Sequence, residues 1–216
     1  MLTKIKICGI TRLSDALDAS SAGADALGFN FSANSPRRIA PEKAKEIIRH
    51  LPPFVVTAGI FVEHDPEEIN EICTTCGIHA AQLHNERYTP EQACSVTRAK
   101  VIRVFRPTSD FKASEVFDFA QKSGINAFLF DAFREGMFGG TGNIIESALA
   151  EQIFNDVRSS CYAVLAGGLN ENNVKEAILR TRPYAVDTAS GVEHEPGIKD
   201  PVKIRAFIKA VRETVY

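Results

Sequence analysis

No stretch of the 216 residues approaches the roughly 18 apolar residues that a membrane span requires, so a transmembrane helix is not expected. The N-terminus, MLTKIKICGIT, lacks the apolar core and small-residue cleavage site of an export signal, because Lys4 and Lys6 interrupt its only apolar run. Charge of neither sign dominates: 25 basic and 27 acidic residues leave a formal net charge of −2, which argues against the basic footprint of a nucleic-acid binder. The five cysteines are odd in number and scattered from Cys8 to Cys161, so no disulfide framework of the secreted kind is expected and a reducing cytoplasm is. Dinucleotide-binding GxGxxG, HExxH and triad patterns are absent, and Gly139-Gly140-Thr141-Gly142 lacks the lysine of a phosphate-binding P-loop. Cys73-Thr74-Thr75-Cys76 has dithiol spacing but no second pair and no suitably spaced histidine, so no metal site is expected. Oligomeric state is not legible at this stage, since an interface looks like ordinary exposed apolar surface.

What is present is alternation. With 44% hydrophobic residues the chain can build a sizeable core, and short apolar or β-branched runs alternate with amphipathic, charged stretches throughout. Eight such pairs are readable, with strands over Lys4–Ile10, Ala24–Phe31, Val55–Val62, Ala80–His84, Val101–Arg106, Ala127–Ala132, Tyr162–Ala166 and Ala185–Ala189. Repeated βα units imply a parallel sheet, and eight of them imply a closed (β/α)8 barrel, the TIM-barrel architecture, as a single domain over 1–216. The alternative, an open doubly wound sheet, would place a phosphate loop after the first strand, where the chain reads Cys8-Gly9-Ile10-Thr11. Helix starts are marked by Asp65-Pro66-Glu67-Glu68, Thr89-Pro90-Glu91, Ala40-Pro41-Glu42 and Asp200-Pro201, and helix ends by Gly77 and Gly124. Pro52-Pro53 reads as the turn from the second helix into the third strand.

In such a barrel, chemistry gathers at the C-terminal ends of the strands. Alternation sets Lys4, Lys6 and Cys8 on one face of the first strand, pointing inward, which brings Cys8 to the mouth. On the sixth strand Leu129 and Asp131 share the inward face. A thiol and a carboxyl are a proton-transfer pair only if both pKa values move toward neutrality, and Lys6 below Cys8 and apolar Leu129 near Asp131 are the groups placed to move them. Each also has a plainer reading, Cys8 as a small core residue and Asp131 as a structural carboxylate. Gly167-Gly168, and Ser190-Gly191, follow the last two strands, where exposed backbone N–H groups suit a phosphate; tight turns are the plainer reading. Arg37 can hold a carboxylate or lie in a solvated loop. His84 can line the site or be a structural histidine. Asp187, inward on strand eight, is expected to pair with Lys6 across the closure of the barrel.

Together, Lys6-Ile7-Cys8-Gly9-Ile10-Thr11, Gly23-Ala24-Asp25-Ala26-Leu27-Gly28-Phe29, Ser35-Pro36-Arg37, Gln82-Leu83-His84, Gly139-Gly140-Thr141-Gly142, Ala166-Gly167-Gly168-Leu169, Ser190-Gly191-Val192-Glu193 and Pro196-Gly197 resemble the motifs of phosphoribosylanthranilate isomerases, in order and over essentially the whole chain. The resemblance implies a cofactor-independent Amadori rearrangement of a small-molecule phosphosugar. Cys8 would be general base and Asp131 general acid, Arg37 would hold the anthranilate carboxylate, and backbone around Gly168 and Gly191 would hold the phosphate. Three positions depart from the pattern: Asn85 replaces a glycine, Asn143 stands at a frequently basic position, and Ile145-Glu146-Ser147 replaces an aromatic-acidic-aromatic run, in a chain without tryptophan. Two alternatives remain open, a paralogous barrel isomerase acting on another phosphorylated aminosugar and a phosphosugar-binding protein without turnover.

Overall fold

The computed structural model describes residues 2–131 and 144–215, with backbone alone for 144–147. Strands β1 (Lys4–Ile7), β2 (Ala26–Asn30), β3 (Val56–Phe61), β4 (Ala80–Leu83), β5 (Lys100–Phe105), β6 (Ala127–Asp131), β7 (Tyr162–Ala166) and β8 (Ala185–Thr188) follow one another around a closed parallel barrel. Closure is made by β1 against β8, with Lys4 opposite Ala185 and Lys6 opposite Asp187. The single-domain (β/α)8 expectation is met. Each strand is followed by a helix: α1 (Leu13–Ala22), α2 (Pro41–Ile48), α3 (Pro66–Cys76), α4 (Pro90–Cys94), α5 (Ala113–Ser123), α6 (Ile144–Val157), α7 (Val174–Thr181) and, after a short hairpin, α8 (Pro201–Arg212). Among the described residues, no helix is long and apolar enough to cross a membrane.

Strand alternation divides the interior in two. Ile5, Ile7, Leu27, Phe29, Phe128, Phe130 and Val186 point outward into the main core beneath the helices. Val104, Leu129, Val164, Ala166 and Ala185 fill the barrel itself with Ile102, so the centre is packed rather than hollow. Buried Lys6, Gln82 and Asp187 break that apolar filling.

The punctuation seen in the sequence has structural counterparts. Asp65 accepts from the Glu68 N–H while Glu68 reaches back to the Asp65 N–H, and Thr89 and Gln92 repeat this capping box. Asp200 accepts from the N–H groups of Val202 and Lys203. Gly77 and Gly124 end α3 and α5 at φ of 73° and 70°, a left-handed turn that a β-carbon would strain. Pro52-Pro53 lies between α2 and β3. Cys73 and Cys76 are packed on the inner side of α3, and burial pushes the Cys73 thiol up to about 12, as expected of structural thiols.

Strand ends differ from the sequence expectation for identifiable reasons. The first strand stops at Ile7 rather than Ile10, because the Gly9 and Ile10 N–H groups both turn to the Gly28 carbonyl while Gly9 sits at φ 78°. The second begins at Ala26 rather than Ala24, since the Ala24 N–H is taken by the Ala19 carbonyl closing α1. A 3-10 turn (Ser190–Val192) and an antiparallel hairpin, β9 (Glu193–Glu195) with β10 (Ile198–Lys199), were not foreseen.

Candidate active site

The C-terminal ends of the strands surround a cavity of about 400 Å³. Cys8, Arg37, His84 and Asp131 line it, together with Gly167, Gly168 and Ser190 from the last two turns. A larger hollow of about 580 Å³ opens at the strands' N-terminal ends, but no carboxylate or histidine lines it. The smaller cavity is the one that brings Cys8, His84 and Asp131 together.

Cys8 follows β1 directly, its N–H donating to the Thr188 carbonyl at 2.8 Å, so the barrel closure itself positions the thiol. One layer below, the Lys6 Nζ donates to Asp187 Oδ2 at 2.7 Å, with both side chains 7% exposed. The pairing expected across the closure is present. Burial is the largest influence on Cys8 and pushes its thiol up; the Lys6 ammonium pulls against it and the Asp187 carboxylate adds to it. The expected lowering by Lys6 is thus real but outweighed, and the resting group is a thiol. Asp187 is pushed up by burial first, against Lys6, and the charge of Asp131 adds to the effect. Its Oδ1 is buried without a hydrogen-bond partner.

Asp131 ends β6 with its side chain 34% exposed and Arg106 Nε at 3.8 Å from Oδ2. Its neighbourhood is therefore more polar than the sequence suggested, because a guanidinium stands beside it. Arg106 is not among the site residues expected from the sequence. The signal was available: Ile102, Val104 and Arg106 alternate on the inward face of the fifth unit, and a charge at that position satisfies the same criterion that selected Cys8 and Asp131.

His84 is half-buried at the cavity wall, and desolvation, aided by the charges of Lys6, Arg106 and Arg103, pushes it down to about 3. A neutral ring that accepts at Nδ1 from Arg106 Nη2 at 3.3 Å must carry its proton on Nε2. That nitrogen lies 2.5 Å from Gln82 Nε2 while Gln82 Oε1 is buried without a partner, so the amide is assigned in the opposite sense, its oxygen accepting from the His84 Nε2–H. His84 serves as a neutral lining group, with no proton to give as an imidazolium.

The two glycine turns lie side by side. Gly167 and Gly168 take φ of 98° and 66°, and Thr188 Oγ1 donates to the Leu169 carbonyl at 2.6 Å, stitching the turn after β7 to β8. Gly191 lies directly behind: a β-carbon there would come within 1.9 Å of the Leu169 oxygen, so only glycine lets the turns meet. Arg37 reaches the cavity from the loop after β2, but its guanidinium is already engaged by Glu193, Nε to Oε1 at 2.8 Å and Nη2 to Oε2 at 2.6 Å. Neither the solvated loop nor a wholly free fork describes it.

The family model described as N-(5'phosphoribosyl)anthranilate (PRA) isomerase matches residues 5–210. The chain belongs to the phosphoribosylanthranilate isomerase family. It is 66% identical over 215 residues to the N-(5'-phosphoribosyl)anthranilate isomerase of Pelodictyon phaeoclathratiforme, covering 100% of both chains. Among solved structures it resembles phosphoribosyl anthranilate isomerase from Thermotoga maritima, with a TM-score of 0.82, 37% identity and coverage of 97% of this chain and 98% of that one. A phosphoribosyl anthranilate isomerase in complex with reduced 1-(o-carboxyphenylamino)-1-deoxyribulose 5-phosphate is equally similar, at a TM-score of 0.82 and 36% identity over 97% of this chain and 98% of that one.

Of the departures from the isomerase family pattern, Asn85 has a structural explanation. Its Nδ2 donates to the Val62 carbonyl at 3.0 Å and its Oδ1 accepts from the Arg87 N–H at 3.0 Å, so the side chain braces the turn after β4. Gly139-Gly140-Thr141-Gly142 and Asn143 lie outside the described residues, as do the side chains of Ile145, Glu146 and Ser147.

Proposed function

We propose that this chain converts N-(5'-phosphoribosyl)anthranilate to 1-(2-carboxyphenylamino)-1-deoxyribulose 5-phosphate, an aldose-ketose isomerisation of tryptophan biosynthesis, with Cys8 and Asp131 moving the protons. The observation that carries the reading is a thiol and a carboxyl lining one cavity at the barrel rim, beside two adjoining glycine turns.

Asp131 protonates the furanose ring oxygen as its bond to C1' breaks, and the anilino nitrogen lone pair forms the C1'=N bond of a protonated Schiff base. Cys8, as thiolate, removes the C2' proton; the released pair forms C1'=C2' and quenches the iminium as an enolamine. Tautomerisation then gives the C2' ketone and returns a proton to C1'. All changes occur within one molecule, so the chemistry calls for neither cofactor nor metal. Arg37 takes the anthranilate carboxylate, Gly167, Gly168, Ser190 and Gly191 take the phosphate, and His84 stays neutral at the wall. Holding both ends of the substrate fixes the sugar between base and acid, which is where much of the rate enhancement of a positioned reaction arises. Because binding aligns C2' with Cys8, the resting thiol needs only a minor thiolate population. Five cysteines without a disulfide among the described residues suit a cytoplasmic setting.

The test is the decay of fluorescence of freshly prepared N-(5'-phosphoribosyl)anthranilate with purified protein. Cys8→Ala and Asp131→Asn should each lose on the order of 10²- to 10⁴-fold in rate. Near-full activity in both variants would remove the acid–base assignment.

A further inference from the structure

Arg37 is fixed on three sides before any substrate arrives. Glu193 takes its Nε and Nη2 edge in a two-point contact. Gly9 lies beneath the stem, so close that a β-carbon there would sit 2.5 Å from Arg37 Cδ, and Gly197 borders the Arg37 backbone. Glu193 is itself immobilised. Its side chain is 5% exposed, and Oε1 also accepts from Lys199 Nζ at 2.9 Å and from the Gly197 N–H at 3.2 Å. Lys203 Nζ donates to the Glu193 carbonyl at 2.8 Å. Burial alone would raise the Glu193 carboxyl, but the hydrogen bonds from Arg37 and Lys199 hold it below the ordinary carboxylate range, so it is anionic.

The network continues to the other end of the site. Lys199, whose side chain has no exposure, also donates from Nζ to the carbonyl of Ala189 at 2.9 Å. Ala189 joins β8 to the turn of Ser190 and Gly191 and lines the cavity. Arg37 and Lys199 share the single Glu193 carboxylate, so those three side chains together keep one net positive charge. A guanidinium has five N–H donors in a rigid fork, and Glu193 uses two of them. Among the described residues no group accepts from Nη1, so the end of the fork formed by Nη1 and the second Nη2 proton remains available for a second two-point contact.

We infer that Glu193 is a positioning residue for substrate recognition: it aims the open end of the Arg37 fork at the substrate carboxylate, and through Lys199 it ties that site to the phosphate turn at a fixed separation. The inference rests on the reading of Arg37 as the partner of the carboxylate. It assigns a function to the β9–β10 hairpin, which supplies Glu193, Gly197 and Lys199 and reaches the cavity through Arg37 and Ala189, the lining residues that Glu193 and Lys199 hold.

The experiment compares N-(5'-phosphoribosyl)anthranilate with N-(5'-phosphoribosyl)aniline, which lacks the carboxylate, as substrates for wild type, Glu193→Gln, Glu193→Asp and Arg37→Ala. In Glu193→Gln an amide N–H faces the guanidinium and turns it away. In Glu193→Asp the charge stays but is withdrawn by one methylene, which keeps the variant folded. Both should lose preference for the carboxylate-bearing substrate by roughly tenfold, through KM rather than kcat, and the Arg37 Nε–H resonance should broaden as its hydrogen bond is lost. Unchanged preference in both Glu193 variants, or an equal loss on both substrates, would overturn the positioning role. Wild-type preference in Arg37→Ala would instead remove the carboxylate reading beneath it.

Discussion

Lys6 and Asp187 meet across the seam where the first strand closes on the eighth, with Nζ and Oδ2 2.7 Å apart and both side chains 7% exposed. The pair sits one layer beneath Cys8, so the same contact that joins the barrel's ends also sets the charge under the thiol.

Removing one partner alone is the costly change. Lys6→Met should destabilise the protein by roughly 3–5 kcal/mol, because it strands the Asp187 carboxylate in the interior, whereas Lys6→Met with Asp187→Leu should recover most of that loss. Urea titration of the three proteins checks it. Equal stability of wild type and the single variant would show that Asp187 finds another partner.

If the turn holding Gly191 takes the phosphate as proposed, Gly191→Ala should open that end of the site. The added methyl would stand 1.9 Å from the Leu169 oxygen, so the two turns must separate. A rise in KM of on the order of tenfold with kcat less affected is expected, since phosphate contacts bind the substrate throughout the reaction rather than only at its transition state. Steady-state kinetics at saturating and limiting substrate separate the two parameters.

His84 sets a stability change on the acid side. In the unfolded chain the ring takes up a proton near its ordinary value of 6.5, while in the folded protein it does so only at about 3. Its depressed value means the folded state binds fewer protons in that window, so stability is complete above 6.5 and falls as pH drops toward 3, by up to roughly 1.4 kcal/mol per pH unit. Between pH 6.5 and 5, where carboxylates contribute little, thermal unfolding of His84→Asn should show a distinctly flatter pH dependence than wild type. Parallel curves would mean the imidazole is solvated.

The thiol gives the opposite limb in activity. Burial holds Cys8 above its ordinary value, so the thiolate proposed to act as base is a minor species at neutral pH. The ratio kcat/KM should therefore rise from pH 7 toward pH 9, and the rise should vanish in Cys8→Ser with its activity. A flat profile across that interval would exclude free-enzyme Cys8 thiolate as the reacting form.

Much of the site was legible because it depends on strand alternation. Cys8, Asp131, Lys6 and Asp187 are placed by a two-residue period and by the closure of eight strands, and both are visible in the order of residues. Arg106 obeys the same rule, at the inward end of the fifth strand's alternation. The engagement of Arg37 by Glu193 was hidden, because the two lie 156 positions apart and no periodicity links the loop after β2 to the hairpin after β8. The hairpin itself was unreadable for a related reason: its strands are three and two residues long, too short to carry an alternation signal.

The sequence by itself determined the eight βα units, their helix caps and which strand faces turn inward, since these follow from local spacing and the covalent freedom of proline and glycine. Only the tertiary structure decided the charge state around the thiol and the direction in which Arg37 points. Both depend on burial and on partners brought together by barrel closure, and desolvation is a property of the assembled interior rather than of any segment.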